Sequence, residues 1–231
     1  MNPRLLDGVP SRSLPAYGIG VNPPDPTAFI SARLPLVAVP GIPEITLHKA
    51  SPSSGLATLA EQDPAFASPY WAYHWAGGLA LARFVLDHPE RVAGRRVLDL
   101  GCGAGLVAIA AAKAGAARVT AADIDRYALA ALRLNAAHNG VAITAIEGDL
   151  TQGDPPPVDL VLVGDLFYER DLARRVTAFL DRCLAVGVAV LIGDPWRAHL
   201  PTQRLTMLVD YAVAETGAAT RPSAVFSLMP A

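Results

Sequence analysis

The segment Val97-Leu-Asp-Leu-Gly-Cys-Gly-Ala-Gly105 decides the fold of this 231-residue chain. Its apolar residues predict a short buried strand, and the glycines that follow predict a tight turn. A helical pattern from Leu106 to Ala114 comes directly after the turn. A strand that leads through a glycine-rich turn into a helix brings the backbone close to a nucleotide-like ligand. The segment therefore predicts one unit of an α/β sheet with a ligand site at the turn.

Two kinds of ligand site compete at this turn. A dinucleotide site has the pattern G-x-G-x-x-G and holds a pyrophosphate at the helix N-terminus, but Leu106 stands at the third glycine position here. Asp99 lies two residues before Gly101, where a carboxylate would repel a pyrophosphate and attract the ammonium and sulfonium groups of S-adenosylmethionine. Charge complementarity therefore favours S-adenosylmethionine over NAD, and Gly101 and Gly103, which lack a Cβ, let the ligand lie against the chain.

Further acids follow the next two predicted strands. Asp123 ends the second strand, about 20 residues beyond the turn, where a carboxylate accepts hydrogen bonds from both ribose hydroxyls of a nucleoside. Its neighbour Asp125 is predicted to cap the following helix. Asp149, together with Leu150, follows the third strand, in the position from which an adenine amino group is reached. We therefore expect Asp123, Asp149 and Leu150 to contact the cofactor.

Strand and helix patterns alternate from Arg95 onward, which predicts a parallel sheet with helices on both faces. The predicted strands are Val97–Leu100, Val119–Ala122, Ile143–Ile146, Val158–Val163 and Val188–Ile192, and the helices after the first are Arg126–His138 and Leu172–Leu184. At the end of the chain we expect a helix over Thr202–Tyr211 and then a hairpin of two strands, Ala212–Thr216 and Ala224–Leu228. The predicted fold class is α/β, a doubly wound, mostly parallel, Rossmann-like sheet of seven strands that ends in an antiparallel hairpin.

The residues before this sheet divide into two parts. Residues 1–28 are rich in proline and glycine and predict a flexible arm, and residues 29–94 predict an N-terminal extension to the domain of residues 95–231. Within the extension we expect an extended segment at Glu44–His48, a polar loop over Ser51–Pro69 and a helix over Gly77–Asp87.

The composition restricts the class of protein further. Hydrophobic residues make up 52% and charged residues 17%, which predicts a sizeable core, and a net charge of −2 gives no basic face for nucleic acid. No apolar stretch reaches the roughly 18 residues of a membrane span, and prolines interrupt the N-terminus where a signal peptide would be apolar. Cys102 and Cys183 are far apart and predict neither a disulfide framework nor a metal site. We expect a cytoplasmic protein that binds neither membranes nor nucleic acid.

The end of the fourth strand is the predicted place of catalysis, because ligands of such sheets bind beyond the carboxyl ends of the strands. The sequence there is Gly164-Asp165-Leu166-Phe167-Tyr168. An aliphatic amine arrives as a cation of pKa about 10.4, which Asp165 attracts and orients. The aromatic rings of Phe167 and Tyr168 are of the kind that stacks against a cation. We therefore expect Asp165 and Tyr168 to be catalytic and Phe167 to contact the substrate.

The motifs as a set resemble those of class I, seven-β-strand methyltransferases, and Asp165–Tyr168 resembles the D-x-x-[YF] signature of protein lysine methyltransferases. Two further stretches, Pro69-Tyr-Trp-Ala-Tyr-His-Trp-Ala-Gly-Gly78 and Gly193-Asp-Pro-Trp-Arg197, are similar to the lysine methyltransferase family of the electron transfer flavoprotein β-subunit, as is Pro43–His48. The resemblance runs from about Phe29 to the C-terminus. It implies methyl transfer from S-adenosylmethionine to lysine side chains of that β-subunit.

The resemblance also implies site residues and leaves alternatives open. It places Trp75 beside the cofactor and Trp196 and Arg197 at the substrate, whereas Trp71 is predicted to lie in the core. The family usually has glycine at the position of Trp196, whose indole would reshape the substrate channel. Ribosomal proteins and small amines such as nicotinamide are alternative acceptors, and a binding module that keeps the cofactor without catalysis is a second alternative.

Overall fold

The computed structural model describes residues 24–214 and 220–230, and strands and helices alternate through most of them. The strands are β1 (Leu36–Val39), β2 (Ile42–His48), β3 (Arg96–Leu100), β4 (Arg118–Asp123), β5 (Thr144–Glu147), β6 (Leu160–Gly164), β7 (Ala189–Asp194), β8 (Leu205–Ala214) and β9 (Thr220–Leu228). The helices are α1 (Pro26–Arg33), α2 (Leu56–Gln62), α3 (Ala76–Asp87), α4 (Leu106–Lys113), α5 (Arg126–His138) and α6 (Arg170–Ala185). None of the helices in the described residues is long and apolar enough to cross a membrane.

The main sheet has seven strands in the order β5-β4-β3-β6-β7-β9-β8. Strands β3 to β7 pair in parallel, whereas β9 pairs antiparallel with both β7 and β8. This order confirms the predicted fold class. The chain moves outward from β3 to β5 and then returns to β6 beside β3, so the strand order reverses at the β3/β6 pair. Ligands of doubly wound sheets bind in the crevice at such a reversal.

Helices cover both faces of the sheet. Helices α3, α4 and α5 pack on one face against Val97, Val119 and Leu162, and α6 packs on the other face against Leu98 and Val163. Neighbouring residues of a strand point to opposite faces, so a strand buried on both faces is apolar throughout. Strand β6 is buried on both faces, as its apolar sequence Leu160-Val-Leu-Val-Gly164 predicts.

The prediction of a helix over Thr202–Tyr211 is wrong, because this segment forms most of β8. The apolar spacing of Leu205, Leu208 and Val209 imitates a helical face. In the structure the register between β8 and β9 shifts between Met207 and Val209, so an additional residue interrupts the alternation expected of a strand. The predicted hairpin is present with longer strands, and residues 215–219 lie outside the described part of the chain.

The N-terminal extension contains more structure than the sequence pattern predicted. The segment predicted as the arm lies outside the described residues up to position 23, and its last three residues begin α1, which Asp25 caps by accepting from the Ala28 N–H. Strand β1 pairs with β2, which includes the predicted extended segment. Helix α2 interrupts the predicted loop Ser51–Pro69, so that prediction is wrong over Leu56–Gln62.

The start of α3 lies directly on the sheet because Gly77, Gly164 and Gly193 have no side chains that would separate the helix from the strands. A Cβ on Gly77 would lie 2.2 Å from the carbonyl oxygen of Gly193 at the end of β7. A Cβ on Gly164, at the end of β6, would lie 3.1 Å from the Cα of Gly78. This contact brings the N-terminus of α3 to the carboxyl ends of β6 and β7, which is where the candidate site lies.

We expect Gly77→Ala to destabilise the fold and Gly78→Ala not to. The Cβ at position 77 meets backbone that cannot move away, and such overpacking costs about 1–3 kcal/mol or more. At position 78 the nearest atom to the added Cβ is Asp165 Oδ2 at 3.8 Å, so the variant gains about 0.5–1 kcal/mol from helix propensity. Urea unfolding of the two variants measures the difference, and equal stabilities would contradict the close packing.

Candidate active site

The glycine turn between β3 and α4 has the geometry that the sequence predicted. Gly101, Gly103 and Gly105 have φ values of 69°, 50° and 90°, a region that favours glycine. The N–H groups of Gly101 and Cys102 both donate to the carbonyl of Ala122 on β4, at 2.9 and 3.0 Å. The turn is therefore fixed to the neighbouring strand. Burial raises the pKa of the Cys102 thiol, in agreement with a side chain that fills space.

Asp99 lies beneath this turn. Its side chain is 2% exposed, and Oδ2 accepts a hydrogen bond of 2.9 Å from the Ala108 N–H in the first turn of α4. Burial raises the pKa of Asp99 to about 7, the hydrogen bond from Ala108 opposes this, and the nearby charge of Asp123 adds to it. The carboxylate thus stabilises the helix that follows the turn, and its attraction of the cofactor ammonium stays a prediction.

The raised pKa of Asp99 gives a prediction about pH. The folded-state pKa of about 7 exceeds the usual 3.8, so the native state holds the additional proton between these values and stability falls as pH rises through this window. The stability of Asp99→Asn should not depend on pH in this way. The variant should therefore be more stable than the wild type at pH 8 but not near pH 4. Affinity for S-adenosylmethionine should rise through pH 7 in the wild type as the carboxylate ionises, and stay flatter in the variant. Thermal melts and calorimetry from pH 4 to 8 test both, and parallel profiles for the two proteins would contradict this role of Asp99.

Asp123 links the end of β4 to the glycine turn. Its Oδ2 accepts from the Gly103 N–H at 2.8 Å, and its Oδ1 accepts from the Asp125 N–H at 3.0 Å. Burial raises its pKa, and the hydrogen bonds from the two backbone N–H groups oppose that rise. Asp125 caps α5, as predicted, by accepting from the Tyr127 N–H. Asp123 is only half-buried, so it still offers lone pairs toward the crevice.

The Asp149 side chain accepts hydrogen bonds from the turn that directly follows it. Oδ1 accepts from the Thr151 N–H at 2.9 Å, and Oδ2 accepts from Gln152 Nε2 at 3.1 Å. Leu150 packs beside the core on the α6 face. These bonds fix the loop after β5, and contact of Asp149 and Leu150 with adenine stays a prediction.

Asp165 stands at the carboxyl end of β6, next to the glycine turn in space. Its Oδ2 accepts the Gly78 N–H at 2.7 Å, so this carboxylate caps α3. The helix that follows Asp165 is capped instead by Glu169, which accepts from the N–H groups of Asp171 and Leu172. Asp165 has a φ of 60°, a backbone conformation that strains a residue with a side chain and is typical of functional sites.

Arg197 connects Asp165 with a second acid, Asp194, at the end of β7. Its Nη2 lies 2.8 Å from Asp165 Oδ1, and its Nε lies 4.0 Å from Asp194 Oδ2. Asp194 is completely buried, and burial raises its pKa to about 6, with the Asp165 charge adding to the rise. One guanidinium is therefore shared by two carboxylates. Asp194 belongs to the Gly193–Arg197 motif and had no predicted role, although an acid at the end of a parallel strand is itself a signal of a site.

Three aromatic side chains, Tyr70, Trp75 and Tyr168, form a rim beside these charges. The ring of Tyr70 lies 5.8 Å from that of Trp75 and 6.0 Å from that of Tyr168. Trp75 donates from Nε1 to the Tyr70 carbonyl, and the Arg197 guanidinium lies 5.9 Å from the Trp75 ring. Tyr168 is 50% exposed, so its ring is open to a ligand. Sequence reasoning missed Tyr70, although it belongs to the Pro69–Gly78 motif.

Of two predicted substrate residues, Phe167 is buried in the core, whereas Trp196 is exposed and its contact with the substrate stays a prediction. Phe167 is 0% exposed and packs in the core on the α6 face, so the prediction that it contacts the substrate is wrong. Trp196 is 51% exposed and packs edge-on against Phe226 at 4.8 Å. Its φ of 63° favours glycine, which agrees with the family pattern at this position. As predicted, Trp71 is buried, and its ring stacks on Tyr127.

The donor groups suit S-adenosylmethionine better than a dinucleotide. Asp99 and Asp123 supply negative charge around a turn whose glycines leave backbone exposed to a ligand, and this charge suits a cationic ligand with ribose hydroxyls. No group of metal-binding side chains occurs in residues 24–214 and 220–230. These features define the class I S-adenosylmethionine-dependent methyltransferase fold.

Comparison with known proteins identifies the family within this class. The profile of the ribosomal protein L11 methyltransferase family matches residues 81–164. An electron transfer flavoprotein β-subunit lysine methyltransferase from Xenopus laevis is 38% identical over 197 residues, which cover 83% of this chain and 80% of that protein. The chain therefore belongs to the electron transfer flavoprotein β-subunit lysine methyltransferase family.

A further relative agrees with this assignment, and a solved structure has the same fold. The Danio rerio protein of the same name is 43% identical over 159 residues, covering 68% of this chain and 62% of that protein, so the match leaves over a third of its length outside. A putative RNA methyltransferase from Pyrococcus horikoshii has the same fold, with a TM-score of 0.54 at 16% identity over 71% of this chain and 91% of that one.

Proposed function

We propose that this protein transfers methyl groups from S-adenosylmethionine to lysine side chains of the electron transfer flavoprotein β-subunit, in the cytoplasm. The observation that carries the proposal is the position of Asp165. Its carboxylate lies at the reversal of strand order, next to the glycine turn, and the aromatic rim of Tyr70, Trp75 and Tyr168 stands beside it. A carboxylate beside aromatic rings is the environment that a lysine ammonium group requires.

The protein's own residues position the amine. S-adenosylmethionine supplies an electrophilic methyl group on a sulfonium centre. Asp165 attracts the lysine ammonium, which must release one proton to water before its lone pair can attack. The amine lone pair would then form the new N–C bond, and the electron pair of the broken S–C bond would remain on sulfur. Asp165 and the rim residues Trp75 and Tyr168 orient the amine and exclude water from it, so rate comes from positioning and desolvation.

The identity of the acceptor rests on family membership. The relatives named for the β-subunit match the larger part of this chain, which supports that protein as the substrate. The profile match over residues 81–164 favours a ribosomal protein as the second candidate. That match covers β3, β4, β5 and β6 with the cofactor turn, and it leaves out Tyr168 and Arg197, which we place on the substrate side.

Transfer of labelled methyl groups to three purified acceptors separates the candidates. We expect label on the flavoprotein β-subunit and much less on ribosomal protein L11 or nicotinamide. Label on L11 alone would move the function to the second candidate. Binding of S-adenosylmethionine without transfer to any of the three would favour a cofactor-binding module.

The melting temperature of the protein should rise with S-adenosylmethionine and stay unchanged with NAD, because only a ligand of the native state stabilises it.

A further inference from the structure

Arg197 already occupies the place that a substrate lysine needs. Its Nε and Nη2 donate to Asp165 Oδ1 at 3.2 and 2.8 Å, and its guanidinium lies 5.9 Å from the ring of Trp75. A carboxylate and an aromatic ring are also the partners expected for the incoming ammonium. A second cation at the same oxygen would be repelled by the first. The lysine ammonium can therefore pair with the Asp165 carboxylate only if the Arg197 guanidinium moves away.

Asp194 offers the guanidinium a second position. This carboxylate is 0% exposed, and its Oδ2 accepts no hydrogen bond from any part of the chain that the structure describes. A buried acceptor without a donor is costly and requires an explanation. The Nε of Arg197 lies 4.0 Å from this oxygen. A hydrogen bond needs about 2.9 Å, so a shift of roughly 1 Å would complete it.

The backbone around Arg197 is fixed, so the movement is confined to the side chain. Asp194 Oδ1 accepts the Arg197 N–H at 2.7 Å. The preceding residue, Trp196, has a φ of 63°, and its indole packs against Phe226. Such a turn keeps the Arg197 Cα beside Asp194, so a change of carboxylate partner requires rotation of the side chain alone.

We propose that the Arg197 guanidinium passes from Asp165 to Oδ2 of Asp194 when the substrate ammonium arrives, which makes Asp194 a positioning residue for methyl transfer. The proposal rests on lysine as the acceptor. Before binding, one guanidinium serves two carboxylates. After binding, Asp165 pairs with the lysine and Asp194 pairs with Arg197, so each carboxylate has one cation.

The matched variants are Asp194→Asn, Arg197→Gln and the double variant. Asn at 194 keeps the acceptor for the Arg197 N–H but not the negative charge, so Arg197 stays on Asp165 and KM for the protein substrate should rise about tenfold. Arg197→Gln removes the competing cation, so KM should fall or stay level. Adding Asp194→Asn to Arg197→Gln should then change KM no further. The affinity for S-adenosylmethionine should equal that of the wild type in all three variants.

Three outcomes would overturn this exchange. One is an unchanged KM in a folded Asp194→Asn protein. Another is a tenfold rise in KM for Arg197→Gln, which would mean that Arg197 contacts the substrate directly. The third is additive effects in the double variant, which a purely structural role predicts. Melting temperatures verify folding, and Arg197→Met, which also lacks the positive charge, replaces Arg197→Gln if the latter does not fold. Wild-type turnover on the β-subunit tests the proposed function separately, because its absence would reject that function whatever the variants do.

Discussion

Asp165→Asn should lower turnover on the protein substrate about 100-fold, the usual scale for a positioned polar group. The asparagine keeps an acceptor for the Gly78 N–H, so the cap of α3 remains, but it removes the charge that attracts the lysine ammonium. The affinity for S-adenosylmethionine should change little, because Asp99 and Asp123 supply the charge at the cofactor turn. Turnover under saturating cofactor, measured with the melting temperature of the same preparation, gives the result.

Asp159→Asn is the matched control, since Asp159 precedes β6 and Asp165 follows it. Asp159 also pairs with an arginine, with the Arg96 Nη2 at 2.6 Å, and this pair lowers its pKa to about 2. Loss of an exposed pair should reduce stability only slightly and leave turnover intact. Near-normal turnover in a destabilised Asp165→Asn protein would show that Asp165 serves the fold alone, and Tyr168 would be the next candidate to hold the amine.

Asp123→Ala should weaken binding of S-adenosylmethionine by at least about tenfold, as expected for lost charge-assisted hydrogen bonds. The change removes the carboxylate that we expect to accept from the ribose hydroxyls, and it also releases the Gly103 N–H, which Asp123 Oδ2 holds at 2.8 Å. Both effects act on the cofactor site. Titration calorimetry measures the change in affinity directly.

Asp125→Ala provides the comparison two residues further along the chain. Asp125 caps α5 through the Tyr127 N–H, so its loss should cost about 1 kcal/mol of stability and leave cofactor affinity almost unchanged. Equal affinities for Asp123→Ala and the wild type, with Asp125→Ala as the weaker binder, would reverse the assignment of these two acids.

The cofactor half of the site could be predicted because its signals are local. The strand, turn and helix around Gly101–Gly105 occupy one continuous segment, and Asp123 follows the next strand directly. Residue type and spacing alone therefore predicted both the turn and the acids that surround it.

The substrate half depends on contacts between distant segments, which spacing does not reveal. Asp165 caps α3 across 87 residues of sequence, and Arg197 reaches Asp165 across 32. Phe167 was expected at the substrate because it adjoins Tyr168, but the turn after β6 points its ring into the core. The prediction of a helix at β8 is wrong for a similar reason. Pairing with β9, across an irregular register, outweighs the helical spacing of the apolar residues in this segment.

The most direct test of the central claim is to map methyl groups on the purified flavoprotein β-subunit by mass spectrometry, after incubation with S-adenosylmethionine and either wild-type protein or Asp165→Asn. We expect methyl groups on lysine side chains with the wild type and about 100-fold less methylation with the variant at equal times. Methylation confined to other residue types, or an unmodified β-subunit despite stoichiometric wild-type protein with bound cofactor, would contradict it.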